Sequence, residues 1–291
     1  LDPQAGQYQD FVAWQDSVLD GARGKALLDY WGAALSGEIA PLEIRSAQSR
    51  LRSLALRGTH RLFALSAELS SAVQSLARNH NTTLYAVILA AMHVMLYQLS
   101  GQTDITVGTP VSLRTRREWE NVIGYFINML PMRATIDARE TFSTHLARTR
   151  ELVLGALSHQ EFPFSLMVER LKIHRDPNRS PLFQAMLNVN ASPRNSELSR
   201  MFTSEHEESV RFGTSQLVSY MIPQQEGQFE IAIEIIDAGG VLRGNLKYQT
   251  ELYSAATAER MIVAFRTILE TIVASPDTRI EDLIGMGRDT F

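Results

Sequence analysis

The sequence predicts an α/β fold with helices packed on a mixed β-sheet, and three observations carry that reading. Stretches with apolar residues at helical spacing, such as Ser66–Ala77 and Phe142–Leu157, alternate irregularly with short β-rich runs such as DITVGTPVS (104–112). The runs FEIAIEII (229–236) and LRGNLKYQ (242–249) flank DAGG, whose two glycines supply the positive φ of a hairpin turn. The 291 residues, 45% apolar and 21% charged, are enough for a substantial core.

From the N-terminus, Tyr8, Phe11, Trp14, Val18, Leu27, Leu28, Trp31 and Leu35 recur largely at helical spacings. Two helical segments are expected there, broken at Gly21 and Gly24 and closed near Gly37. Residues 37–59 contain Pro41, mixed charge and no sustained period, and are expected to be a linker, which divides the chain into 1–36, 37–59 and 60–291. HRLFAL (60–65) reads as a strand. Ser66 then caps a helix with Leu69, Ala72, Val73, Leu76 and Ala77 on one face. LYAVILAAMHVMLYQL (84–99) reads as a buried core helix, shorter than the roughly 20 residues that span a bilayer.

DITVGTPVS and IGYFINMLPMRATI (123–136) read as strands joined by the charged loop RTRREWEN (114–121). Phe142, Leu146, Thr149, Val153 and Leu157 mark the next helix, and a short amphipathic helix follows Pro163. After it come a strand LFQAMLNVNA (182–191), an irregular polar stretch over 192–212, a strand SQLVSYMI (215–222), the hairpin, and a last helix striped by Ala258, Met261, Ile262, Phe265, Ile268, Leu269, Ile272 and Val273.

Several function classes drop out. Lys+Arg 28 against Asp+Glu 32, with no basic run, argues against a nucleic-acid partner. The chain has no cysteine, so any thiol chemistry comes from a ligand; this fits a cytoplasmic protein. LDPQAGQYQDF lacks the features of a signal peptide, and no stretch suggests a membrane partner. The usual short signatures for nucleotides, zinc proteases and serine hydrolases are missing, and the seven histidines show no metal-ligand spacing, so no metal site is expected. His93, inside the apolar helix, is expected to be a hydrogen-bonded core histidine. His159 has no second histidine or serine beside it to complete a constellation, and Pro163 between Phe162 and Phe164 favours anchoring over acid-base work. HRDPNRSPLF (174–183) favours a rigid turn in which Arg175 or Arg179 pairs with Asp176 or a carbonyl, rather than an anion site.

YQDFVAW (8–14), IGYFINMLPMR (123–133), HQEFPFS (159–165) and RDPNRSPLF (175–183) resemble, in order and approximate spacing, the later signature motifs of condensation domains from nonribosomal peptide synthetases. Met129, Glu161, Ser165 and Asn178 depart from the usual threonine, aspartate, glutamate and serine, which bears on subtype. The family's HHxxxDG motif, with its catalytic histidine, does not occur here.

The resemblance implies the acceptor-side, C-terminal half of such a domain, a chloramphenicol-acetyltransferase-like subdomain, with residues 1–36 as the last helices of the N-terminal half. It implies no catalytic residue in this chain. Asn128, Arg133, Arg114 and Tyr125 are expected to line the substrate tunnel, and His159, Arg175, Asp176 and Arg179 to be structural. No cofactor is expected to bind directly. The implied partners are donor and acceptor carrier proteins with phosphopantetheine arms, the N-terminal half and neighbouring synthetase domains. The rival within the superfamily is a noncatalytic domain that recruits carrier proteins; an epimerisation domain is disfavoured by IGYFINMLPMR. The chain alone is expected to fold but not to condense, with Trp14 and Trp31 exposed for want of the other half.

Overall fold

The computed structural model describes residues 6–44, 57–173, 176, 179–190, 209–218 and 229–285. Helices α1 (Tyr8–Asp20) and α2 (Ala22–Ala34) precede strand β1 (Gly58–Ala64), followed by α3 (Ala67–Asn79) and α4 (Leu84–Ser100). Strands β2 (Asp104–Ser112) and β3 (Ile127–Thr135) come next, then α5 (Phe142–Ser158), α6 (Phe164–Arg170) and β4 (Ala185–Asn190). The remaining elements are β5 (Ser209–Phe212), β6 (Ser215–Val218), β7 (Ile231–Ala238), β8 (Val241–Gln249), α7 (Ala255–Ala274) and α8 (Ile280–Gly285).

Six strands form one sheet in the order β1-β8-β7-β4-β2-β3, which leaves β3 on an edge. The pairs β2–β4 and β4–β7 are parallel and the other three antiparallel, so the sheet is mixed. Strands β5 and β6 form a separate hairpin.

Local chemistry sets the element ends. Ser66, Thr83, Thr141 and Ser254 each cap a helix by accepting a hydrogen bond from the amide three residues on, satisfying a donor the helix cannot. Gly239 and Gly240 take φ of 70° and 91° in the β7–β8 turn, where Asp237 accepts from the Gly240 amide at 2.8 Å. From Ala86 to Leu96 every residue of α4 is buried, and the helix packs against α3, α5 and α7. Among the described residues no single helix is long and apolar enough to cross a membrane; α3 and α4 reach that only as a pair bent by 105°.

Several expectations need correction. Gly24 does not break a helix: it lies buried inside α2, where a Cβ would come within 2.1 Å of the Leu19 carbonyl oxygen, so glycine lets the start of α2 pass close to the end of α1. Strand β3 starts at Ile127 rather than 123, and the charged loop before it holds a 3-10 turn (Arg117–Trp119) with Trp119 buried. Residues 209–212 of the supposed irregular stretch are strand β5; residues 192–208 and 219–222 lie outside the described residues. Trp31 is 1% exposed, packed with Leu27 and Leu35 in the main core, and Trp14 is half-buried against Trp119 at 4.5 Å. His93 is fully buried, as expected of a core histidine, with the Met132 backbone beside it and its ring edge-on to His145, 5.7 Å away.

Candidate functional site

Asn128, on edge strand β3, faces inward. Its side-chain amide donates to the carbonyls of Gln160 (2.9 Å) and Phe162 (2.8 Å), and its oxygen accepts from the Phe164 amide at 2.9 Å. These groups belong to the turn between α5 and α6, where Pro163 brings no N–H and neither helix can satisfy the backbone. One amide side chain supplies two donors and an acceptor to that turn.

The other side of the turn is held by α2. Trp31 donates its indole N–H to the His159 carbonyl (3.0 Å), and Arg23 reaches the Ser158 carbonyl (2.6 Å) and Glu161 (2.8 Å). The His159 ring stacks on Tyr30, and its Nδ1 lies 2.7 Å from the Gly155 carbonyl, so Nδ1 carries a proton and donates. Burial raises the pKa of the Tyr30 hydroxyl. Helix α2 thus grips residues 155–161 by a stack, an indole and a guanidinium.

Arg133, further along β3, forms a two-toothed pair with Asp104 (2.9 and 2.6 Å) and donates to the carbonyls of Ser36 (2.6 Å) and Glu38 (3.2 Å). The bond to Asp104 raises its pKa further. Gln102 holds the Pro41 carbonyl and Glu43 amide, and Gln184 accepts from the Leu42 amide at 2.7 Å. Arg179 pairs with Glu43 at 3.1 Å and with Asp176 at 3.8 Å. Residues 36–44, which run from the end of the first segment into the expected 37–59 linker, therefore form a stitched strap with Leu42 and Ile44 buried. A cavity of about 530 Å³ lies between this strap and residues 171–173, 176 and 179–184, with Ile39, Lys172 and Arg179 in its wall. Arg175 lies outside the described residues.

Arg114 supports the β2–β3 loop. It donates to the carbonyls of Trp119 and Val122, the latter at 2.8 Å, and its guanidinium sits 4.0 Å over the Phe126 ring. Tyr125, by contrast, is 69% exposed.

The expected site residues thus fall into three groups: Asn128 with His159, Arg133 with Arg179 at the strap, and Arg114 with Tyr125 in the loop. Tyr30, Trp31, Arg23, Gln102 and Gln184 escape a reading of the sequence, because their partners lie 59 to 142 residues away and no local pattern marks them. The fully buried His93, pressed down to about 3 by burial, is neutral and out of reach of a substrate. No group of three His, Asp or Glu among the described residues could hold a metal.

A profile of the condensation-domain family matches residues 1–288. Tyrocidine synthase 2 of Brevibacillus parabrevis is 31% identical over 281 residues, 95% of this chain and 7% of that protein. Malpinin synthetase of Mortierella alpina is 30% identical over 289 residues, 97% of this chain and 4% of that protein. A solved four-domain nonribosomal peptide synthetase superposes with a TM-score of 0.82 at 29% identity, over 89% of this chain and 20% of that one. The X-domain from teicoplanin biosynthesis, with a TM-score of 0.83 at 21% identity over 97% of this chain and 63% of its own, shares the fold. This chain spans only a small part of the synthetases it matches. The mixed six-stranded sheet with its helices is the chloramphenicol-acetyltransferase-like fold of these neighbours. With the profile running through α1, the β2–β3 pair and the α5–α6 turn alike, the chain belongs to the condensation-domain family of nonribosomal peptide synthetases, whose general activity is peptide-bond formation.

Proposed function

We propose that this chain is the acceptor-side, C-terminal part of a condensation domain that joins a donor acyl thioester to an acceptor aminoacyl thioester, both held on carrier proteins by phosphopantetheine arms. The observation that carries it is coverage: the family profile takes in residues 1–288, yet 97% of the chain accounts for only 63% of the X-domain's chain. The remainder of the fold, with the HHxxxDG motif, is supplied by the N-terminal half. In the reaction the acceptor amine attacks the thioester carbonyl, the C–N bond forms, the C–S bond breaks, and the departing sulfur takes up the proton the amine loses.

In this reading Tyr125 presents its side chain to the substrate passage, while Asn128, Arg114 and Arg133 shape its wall from behind. Residues 1–36 lead from the other half and 60–291 form the acceptor-side subdomain. Carrier proteins and neighbouring synthetase domains are the partners, and the protein works in the cytoplasm.

The fold also serves an X-domain solved in complex with OxyB. A recruiting domain that does not condense is therefore the second reading, and one experiment separates the two. Loaded donor and acceptor carriers are supplied to the purified chain, alone and joined to its upstream half, and product is followed by mass spectrometry. Condensation is expected only with the upstream half, since a positioned acid-base group is worth about 10² to 10⁴ in rate. Carrier binding without product from the joined protein would favour recruitment, and full-rate product from the chain alone would refute the assignment of the chemistry to the other half.

A further inference from the structure

At Phe126 the loop still joins the β2–β3 ladder, the Leu113 amide donating to its carbonyl at 2.6 Å, but from Trp119 to Tyr125 side chains supply the long-range grip. Arg114 takes the carbonyls of Trp119 and Val122, and Tyr8, at the start of α1, donates its hydroxyl to the carbonyl of Tyr125 at 2.8 Å. The Tyr8 ring lies so close to Gly124 that a Cβ there would sit 2.2 Å from Cδ2, and it meets Phe126 edge-on at 5.3 Å. Phe11, Leu113, Trp119, Val122 and Phe126 form a small core of their own beneath the loop, with Tyr8 and Trp14 packed against it.

Val122, Phe126 and Asn128 are buried, while Ile123 (80% exposed), Tyr125 and Ile127 (50% exposed), the last opening edge strand β3, face solvent. Unsupported apolar side chains of this size would fold back against the protein. Here the backbone is tied from both sides, so the three stand ready to meet an apolar group.

We propose that Tyr8 is a positioning residue: through Gly124 and the Tyr125 carbonyl it fixes where Tyr125 and Ile123 meet the aminoacyl chain of the acceptor. The inference rests on the condensation reading above and deepens it by naming the contact face and the residue that sets it. Tyr8→Phe keeps the ring against Gly124 and removes only the hydroxyl, so the chain still folds.

Two readouts test it. Arg114, Arg116 and Arg117 make the loop a target for trypsin, and native-state cleavage there is expected to rise about two- to tenfold in Tyr8→Phe, the worth of one hydrogen bond. In the chain joined to its upstream half, Tyr8→Phe should raise KM for the carrier-bound acceptor by a similar factor with kcat kept. Tyr125→Leu should move the same KM without changing cleavage. Faster cleavage with unchanged KM overturns the positioning role while leaving the condensation reading intact. Unchanged cleavage overturns the lock itself. A wild-type joined protein that makes no product removes the condensation reading and this inference with it.

Discussion

The imidazole of His159 lies flat on the phenol of Tyr30, ring centroids 3.8 Å apart and planes 3° from parallel. The stack covers one face of the imidazole and the Gly155 carbonyl engages Nδ1, while Trp31 holds the same residue by its backbone. The ring is thus held at one face and at Nδ1, and the residue by its carbonyl as well, which supports the proposal that His159 is structural.

His159→Ala is accordingly expected to cost about 1 to 3 kcal/mol of stability, by urea or thermal unfolding, with turnover of the joined protein retained. His159→Phe keeps the stack and loses the Nδ1 bond, and should fall between. An unchanged melting temperature with activity reduced hundreds of times would contradict the assignment.

For Asn128→Ala the sequence alone points to reduced turnover without unfolding, because a polar residue in an apolar run suggests a tunnel wall. The geometry predicts instead a stability loss of about 2 to 4 kcal/mol, since two carbonyls and one amide lose their partner together. Asn128→Asp should be worse, as a carboxylate cannot donate to those carbonyls. Equilibrium unfolding of both variants decides the matter; wild-type stability in either would return Asn128 to the tunnel wall.

Gly24→Ala sets propensity against packing. Alanine favours a helix over glycine by about 1 kcal/mol, yet its methyl would press on the Leu19 backbone, which has no rotamer to yield. Net destabilisation of about 1 to 3 kcal/mol is expected, read as a lowered Tm. A raised Tm would mean that α1 and α2 separate at little cost.

Stability should also fall in mild acid. His93 has a folded pKa of about 3, well below its ordinary 6.5, because burial disfavours the cation and His145 adds to this. The unfolded chain therefore binds a proton that the folded one refuses, and stability present above pH 6.5 is lost progressively as pH falls toward about 3. Glu140, facing His145 at 3.4 Å and paired with Arg148, has a lowered pKa and adds a loss of the same sign, in the acid range of a carboxylate. Urea midpoints compared at about pH 7 and pH 5 should differ in wild type and converge in His93→Phe. A slope unchanged by that substitution would place the acid sensitivity elsewhere.

The elements that the sequence announces are those whose cause is local. Ser66 as a cap, the unbroken apolar run of α4 and the paired glycines of the β7–β8 turn each carry their reason within a few residues. The misreadings have remote causes. Gly24 looks like a break because glycine in a helix normally weakens it, whereas its reason is the neighbouring helix. Trp119 hides in a charged loop because its partners Phe11 and Trp14 come from the first helix. That residues 36–44 are held in place has no signal in their own pattern, because the side chains that hold them, Gln102, Arg133 and Gln184, follow 59 residues or more later. Likewise the polar residues of the family's motifs can be named from the sequence, but not what they touch, since Asn128 finds its partners 32 to 36 residues on.

The strap is gripped chiefly by its main chain: Arg133, Gln102 and Gln184 hold carbonyls and amides of residues 36 to 43. Apart from Glu43, which pairs with Arg179, its exposed side chains are thus free to vary, while its path is dictated by three residues encoded far downstream. For anyone recombining synthetase modules, a crossover within 36–44 keeps the seam when the incoming backbone follows the same path, but replacing Arg133 or either glutamine leaves the joint unsewn, however well the junction sequences themselves agree.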